Sequence, residues 1–81
     1  MAISETQLNA IRQLKEERNR QGLTQLDVAT RMDISLSVFQ RLEYANRDVR
    51  VSTLERYAKA LGKALEVHLV EPEPEPAVGE D

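Results

Sequence analysis

The sequence predicts a mostly α-helical domain of four helices closed by one C-terminal β-strand. Three observations carry this. Helix-start residues recur at Ser4, Thr24, Ser35 and Ser52, each opening a stretch with apolar residues three or four apart. Thr24 and Ser35 stand so close together that the two helices they open are only about two turns long. After Gly62 the apolar spacing changes from the helical period to a period of two.

Ser4 with Gln7 predicts a capping box at the start of the first helix, in which Leu8, Ile11 and Leu14 form the inward face and Gly22 ends the run. Thr24 with Asp27 predicts the second cap, followed by an apolar face of Val28, Ala29 and Met32. Asp33 occupies the turn, where a left-handed residue is needed and Asp is tolerated. Ser35 caps the third helix, with Phe39 and Leu42 inward, Val38 partly so, and Ile34 just before the cap. "YANRDVR" is a polar loop. Ser52 with Glu55 predicts a capping box for the fourth helix, carrying Leu54, Ala58 and Leu61. In "KALEVHLV", Leu65, Val67 and Leu69 alternate with Ala64, Glu66 and His68, a strand pattern. No other segment reads as β, so its unpaired backbone groups call for a partner. The simplest is the same strand of a second copy, paired antiparallel across a two-fold axis. The alternatives are a fifth helix or a docked loop.

The chain of 81 residues has a formal charge of −3, but the charge is unevenly placed. Residues 71–81, "EPEPEPAVGED", hold five acids and no base, and alternating Glu and Pro predict a disordered, solvated tail. Residues 1–70 hold all 11 Lys and Arg against 9 acids, a net +2 that leans toward an anionic partner. Without cysteine there is no disulfide framework and no thiolate metal site. His68 is the only histidine, so neither metal-ligand spacing nor a Ser–His–acid set occurs. An enzyme is not predicted, and no cofactor is. No apolar run approaches the ~20 residues of a membrane span, and no secretory layout opens the chain, so a cytoplasmic protein is expected.

Helices of two turns are marginal alone, because nucleation is costly and few bonds repay it. Set back to back and braced by longer neighbours, they support one another. Ala29 stands where they should cross, where only a small side chain permits close backbone approach. The arrangement is a helix-turn-helix, whose third helix is projected to enter a major groove. That helix presents Leu36, Ser37, Gln40 and Arg41 outward, with Val38 partly so. Gln can bond adenine in two places, Arg can do so with guanine, Ser serves either, and an apolar tip can meet a thymine methyl.

"GLTQLDVATRMDISLSVFQRLE" followed by "VSTLERYAKALG" resembles the lambda-repressor-like, or Xre-family, helix-turn-helix over roughly residues 8–62. The resemblance implies that Gln25 contacts the phosphate backbone or a base near the half-site edge. It implies that Arg18, late in the first helix, pairs with Glu43 of Arg-x-Glu to lock helix 1 to helix 3. It places Arg47 and Arg50 beside the phosphates. The chain departs from the family at Leu36, where relatives usually carry Gln. Either Leu36 meets a thymine methyl, or discrimination shifts to Ser37, Gln40 and Arg41; the plainer alternative is that Leu36 folds down onto helix 2 and reads nothing. Leu26 is a second unexpected leucine, and the two together form a small apolar spot. Relatives have Gly where Ala45 stands, so the third helix is expected to end one residue later, with Asn46 taking the left-handed turn.

The strand ending "LGKALEVHLV" resembles the narrower HigA-type antitoxins. The expected organisation is a DNA-binding domain over 1–62, a dimerisation strand over 63–70 using Leu65, Val67 and Leu69, and the tail over 71–81. The expected partners are a second copy and double-stranded DNA carrying a pseudo-palindromic operator, with recognition helices about one turn apart, roughly 34–36 Å. The HigA resemblance implies autoregulation of an operon and binding of a ribonuclease toxin. The competing readings are a stand-alone repressor and a helical protein-interaction module that does not bind DNA.

Overall fold

The computed structural model describes residues 3–44 and 46–72. The chain forms four helices, α1 (Glu5–Arg20), α2 (Gln25–Met32), α3 (Leu36–Tyr44) and α4 (Val51–Ala60). Helix α2 packs on both α3 and α4, and α4 also packs on α1. One core runs between them, built from Ile11 and Leu14 of α1, Val28, Ala29 and Met32 of α2, Phe39 and Leu42 of α3, and Leu54, Tyr57, Ala58 and Leu61 from α4 and its end. The rings of Phe39 and Tyr57 meet at 5.0 Å and 58°, a tilted contact worth about 0.5–1.5 kcal/mol beyond burial.

The ends of α1 and α2 follow from local chemistry. Ser4 Oγ accepts from the Gln7 backbone N–H at 3.1 Å. Gly22, at φ 73°, closes α1, with its own N–H on the Asn19 carbonyl and the Leu23 N–H on Arg18. At Thr24 the reciprocal box is complete: Asp27 N–H donates to Thr24 Oγ1 at 3.0 Å, and Thr24 N–H to Asp27 Oδ2 at 2.8 Å. The donated Thr24 bonds hold the Asp27 carboxyl below its ordinary range. Asp33 ends α2 in the left-handed region at φ 59°. Two arginines then satisfy carbonyls left free at helix C-termini. Arg56 donates to the Met32 carbonyl at 2.5 Å, and Arg31 to that of Ala60 at 2.9 Å.

Three expectations fail, each for a physical reason. Leu8 is 41% exposed and lies outside the core; Gln7 takes the inward position instead, in line with Ile11 and Leu14 at four and seven residues. The Gln7 side chain does not return to Ser4 to complete a box. Its Nε2 donates to the Arg47 carbonyl at 2.8 Å, and its Oε1 accepts from Val49 N–H at 2.9 Å. Finally, Ser52 does not cap α4. The helix starts at Val51 behind Arg50, whose extended backbone (φ −65°, ψ 144°) caps without a side-chain bond and whose carbonyl accepts from Thr53 and Leu54.

After Gly62, residues 63–72 are neither helix nor paired strand, so the fifth-helix alternative is not realised. The described residues of the single chain hold no second strand, and strand pairing requires one. Leu65 is half-buried against the core, while Val67 is 76% and Leu69 100% exposed. His68 Nε2 lies 3.0 Å from Glu66 Oε1, so these alternate residues share a side. Ala45, where α3 was expected to extend, and residues 73–81 of the acidic tail lie outside the described residues. No helix among the described residues is long and apolar enough to cross a membrane.

Candidate nucleic-acid interface

The Asp33 turn reverses the chain within three residues, and Ser35 Oγ then accepts from Val38 N–H at 3.1 Å to open α3. Ala29 is fully buried between the two short helices, and the Ile34 N–H bonds back to its carbonyl at 3.0 Å. Helix α3 thereby buries Phe39, Leu42 and Glu43 on one face. The opposite face carries Ser37, Gln40 and Arg41, all exposed, with Val38 at 44% and Leu36 at 37% exposure. Leu36 therefore does not fold away completely. Leu26 is 58% exposed.

Beneath that face lies one buried carboxylate with four donors. Arg18 grips Glu43 in a fork, Nε to Oε2 at 2.9 Å and Nη2 to Oε1 at 3.1 Å, and spends its Nη1 on the Leu23 carbonyl at 2.9 Å. Tyr57 O–H donates to Glu43 Oε2, and Gln25 Nε2 to Oε1 at 3.0 Å. Burial pushes the Glu43 carboxyl up, but the bonds from Arg18, Gln25 and Tyr57 outweigh it and hold the group below its ordinary range. Burial, then the bond to Glu43, pushes the Tyr57 phenol well above its ordinary value, so it remains a donor at neutral pH. Among the described residues no buried side-chain polar atom lacks a partner. The pair ties α1, α3 and α4 together and fixes the rotation of α3 about its axis.

The sign of the acid dependence follows from this geometry. Glu43 is depressed from an ordinary value of 4.5, so its stabilising contribution is complete above that value and is lost as pH falls through the lower folded value. Glu17, brought down to about 2 first by its hydrogen bond from Arg20, and Asp27 shift in the same direction, but both sit in solvent, where screening leaves them little weight in stability beside Glu43. The unfolding temperature is expected to fall as pH drops below about 4.5, and E43Q is expected to flatten part of that slope. An unchanged slope in E43Q, measured by thermal melts from pH 6 to pH 3, would place the acid sensitivity elsewhere.

Gln25 is half-buried at the start of α2, and its Oε1 accepts from Gln40 Nε2 at 3.2 Å. Arg47 and Arg50 are exposed in the segment leading to α4; Gln7 pins this segment to α1 through the backbone of Arg47 and Val49. The exposed outer face of α3, the N-terminus of α2 and the 46–50 segment all carry sequence-predicted residues. Leu65, Val67 and Leu69 belong to a different part of the chain, beside a groove of about 920 Å³ lined by α1, α4 and residues 63–68. Sequence reasoning missed Gln7 and the part Tyr57 plays at Glu43. Both were detectable from helical spacing: Gln7 leads Ile11 and Leu14, and Tyr57 falls between Leu54 and Leu61. Among the described residues no group of acidic or histidine side chains could hold a metal.

A family model described as "Helix-turn-helix" matches residues 14–68, more than half of the chain. No curated protein and no solved structure matches it. The match spans the Arg18–Glu43 pair, the Asp33 turn and the whole of α3, and so covers the architecture just described. The chain belongs to the lambda-repressor-like (Xre) helix-turn-helix family of DNA-binding regulators.

Proposed function

We propose that the protein is a sequence-specific repressor that binds a pseudo-palindromic operator as a homodimer. The observation that carries this reading is the division of α3. One face is locked by Phe39, Leu42 and the Arg18–Glu43 fork, and the other leaves Ser37, Gln40 and Arg41 exposed at the surface. A helix held this rigidly, with base-reading side chains on its open side, suits insertion into a major groove. Leu36 and Val38 offer apolar contact to thymine methyls. Gln25, Arg47 and Arg50 flank the helix where phosphates would run. Residues 63–70 supply the dimer contact through Leu65, Val67 and Leu69.

Selection from randomised duplexes tests the reading. It is expected to enrich a two-fold symmetric sequence whose binding falls with log[salt] at a slope of about −0.9 for each phosphate contacted. R41A is expected to relax preference at one base position, by about 1–3 kcal/mol of discrimination. A uniform loss across all sequences would make Arg41 a phosphate contact only. Failure to enrich any sequence would favour the protein-interaction module.

A finer reading makes the protein the antitoxin of a type II toxin–antitoxin operon that represses its own promoter and restrains a ribonuclease toxin. The similarity of "LGKALEVHLV" to HigA-type antitoxins supports it. Co-expression with the neighbouring reading frame tests it. The antitoxin reading expects a stable complex and relief of growth arrest, and the stand-alone repressor reading expects neither.

A further inference from the structure

The segment after α4 has a polar side that the dimer contact does not use. Leu65 is half-buried against the core, whereas Glu66 and His68 share an exposed side, with side chains 76% and 72% open to solvent. His68 Nε2 stands 3.0 Å from Glu66 Oε1. Two ligand atoms held at about 2.1 Å by one tetrahedral Zn²⁺ lie about 3.4 Å apart. A small opening of this pair would let both atoms grip one ion. Two ligands are too few, and among the described residues of one chain no third carboxylate or imidazole joins them. A second copy supplies the other two.

The register of the ribbon decides whether they meet. In an antiparallel pair, residues directly opposite share a face. Registers that place residues 65, 67 and 69 opposite 64, 66 and 68 mix the two faces and are excluded. Centring the ribbon on Glu66 sets like charges together, and centring it on His68 sets Leu65 against the partner's Glu71. Centring it on Val67 satisfies every position: Leu65 meets the partner's Leu69, Val67 meets the partner's Val67, and Glu66 meets the partner's His68. This register also gathers both Glu66–His68 pairs around the two-fold axis on the outer face. Cross-strand neighbours stand about 5 Å apart and alternate residues about 7 Å, so all four side chains reach one point on the axis.

We propose that the dimer binds one divalent cation of the Zn²⁺ class on its two-fold axis, held by Glu66 and His68 of one protomer with the partner's Glu66 and the partner's His68. Two carboxylates balance the charge of the ion. Two neutral imidazoles supply nitrogen donors, which suit Zn²⁺ and not the oxygen shells of Mg²⁺ or Ca²⁺. The monomer holds only half of the site, so the ion binds the dimer and draws two chains together. Metal supply is thereby coupled to the dimer that binds the operator.

This inference rests on the 63–70 dimer contact, and the experiment separates the two. Sedimentation of the full chain, in chelator and with Zn²⁺ alone, is combined with calorimetric titration and Co²⁺ absorption. The wild type is expected to bind one ion for every two chains and to show the intense visible bands of tetrahedral Co²⁺. With free Zn²⁺ at about a hundred times the Kd of the site, dimerisation is expected to tighten about a hundredfold. H68A and E66A, confirmed as folded by thermal melts, are each expected to lose that tightening. The chain has no cysteine, so V67C reports the register. Under mild oxidation it is expected to form a disulfide-linked dimer faster than E66C or H68C, whose counterparts stand on the diagonal.

A chain that stays monomeric with and without metal overturns the dimer contact, and the site with it. A metal-free dimer that takes up no Zn²⁺ overturns the site alone. So does a dimer in which V67C cross-links no faster than E66C or H68C. Binding of one ion to each chain without tightening overturns the site as well, as does tightening that survives in H68A and E66A, since the ion then sits on other groups.

Discussion

R18M is expected to be the most damaging conservative change in the chain. Methionine keeps most of the bulk, so the substitution isolates the charge. It leaves Glu43, 5% exposed, with donors from Gln25 and Tyr57 but no counter-charge. Breaking a buried pair in this way costs about 3–5 kcal/mol. A domain of 81 residues has a total stability of only about 4–12 kcal/mol, so the variant should lose a large share of its stability and melt well below the wild type. Removing both charges in R18M/E43M should recover part of the loss, because no uncompensated ion is left in the core. Urea titrations of the two variants check this. A cost below about 1 kcal/mol for R18M would mean that the pair behaves as a solvated surface bridge. The exposed Arg20–Glu17 bridge, at 2.5 Å, provides the contrast: R20A is expected to change stability little, since water replaces what the partner gave.

The second large effect is expected from the segment after α4. Val67 and Leu69, two exposed apolar residues of the 63–70 run, are those proposed to pair across the axis, and carboxylates there would desolvate on pairing and repel. V67D/L69D is expected to be monomeric by analytical ultracentrifugation, with its helices intact by circular dichroism. Joining two half-site readers turns the second contact into an intramolecular one, and that advantage is typically 10²–10⁴-fold. Operator affinity is therefore expected to drop by about a hundredfold or more. Contact with an isolated half-site should stay within about twofold, because α3 is built within one chain. A doubly substituted protein that remains dimeric would exclude the strand ribbon and move the interface elsewhere, for instance to the groove between α1 and α4.

Much of the frame was legible because it depends on neighbours in sequence. Thr24 with Asp27, Ser35, Asp33 and Gly22 act over three or four residues, and each behaves as its local chemistry requires. The inward faces of α2 and α3 follow from helical spacing in the same way. The errors came where two local options competed. Gln7 could return to its own cap or reach residues 40 and more positions away, and burial chose the second. The α4 start shifted to Val51 because the Arg50 backbone was already in a capping conformation, which made the Ser52 hydroxyl unnecessary.

The sequence alone determined the four helices, the tight Asp33 turn, the outward residues of α3 and, through family resemblance, the pairing of Arg18 with Glu43. These rest on short-range hydrogen bonding and on the periodicity with which apolar groups leave water. Only the tertiary structure decided that one carboxylate gathers donors from α1, α2 and α4, and that Gln25 and Gln40 are joined to it. Those groups are 14 to 25 residues from Glu43 or, for Gln40, one bond further along the chain of amides. A side-chain hydrogen bond needs its partners within about 3 Å and correctly aimed, a condition set by how the packed helices cross and rotate, which no spacing along the chain encodes.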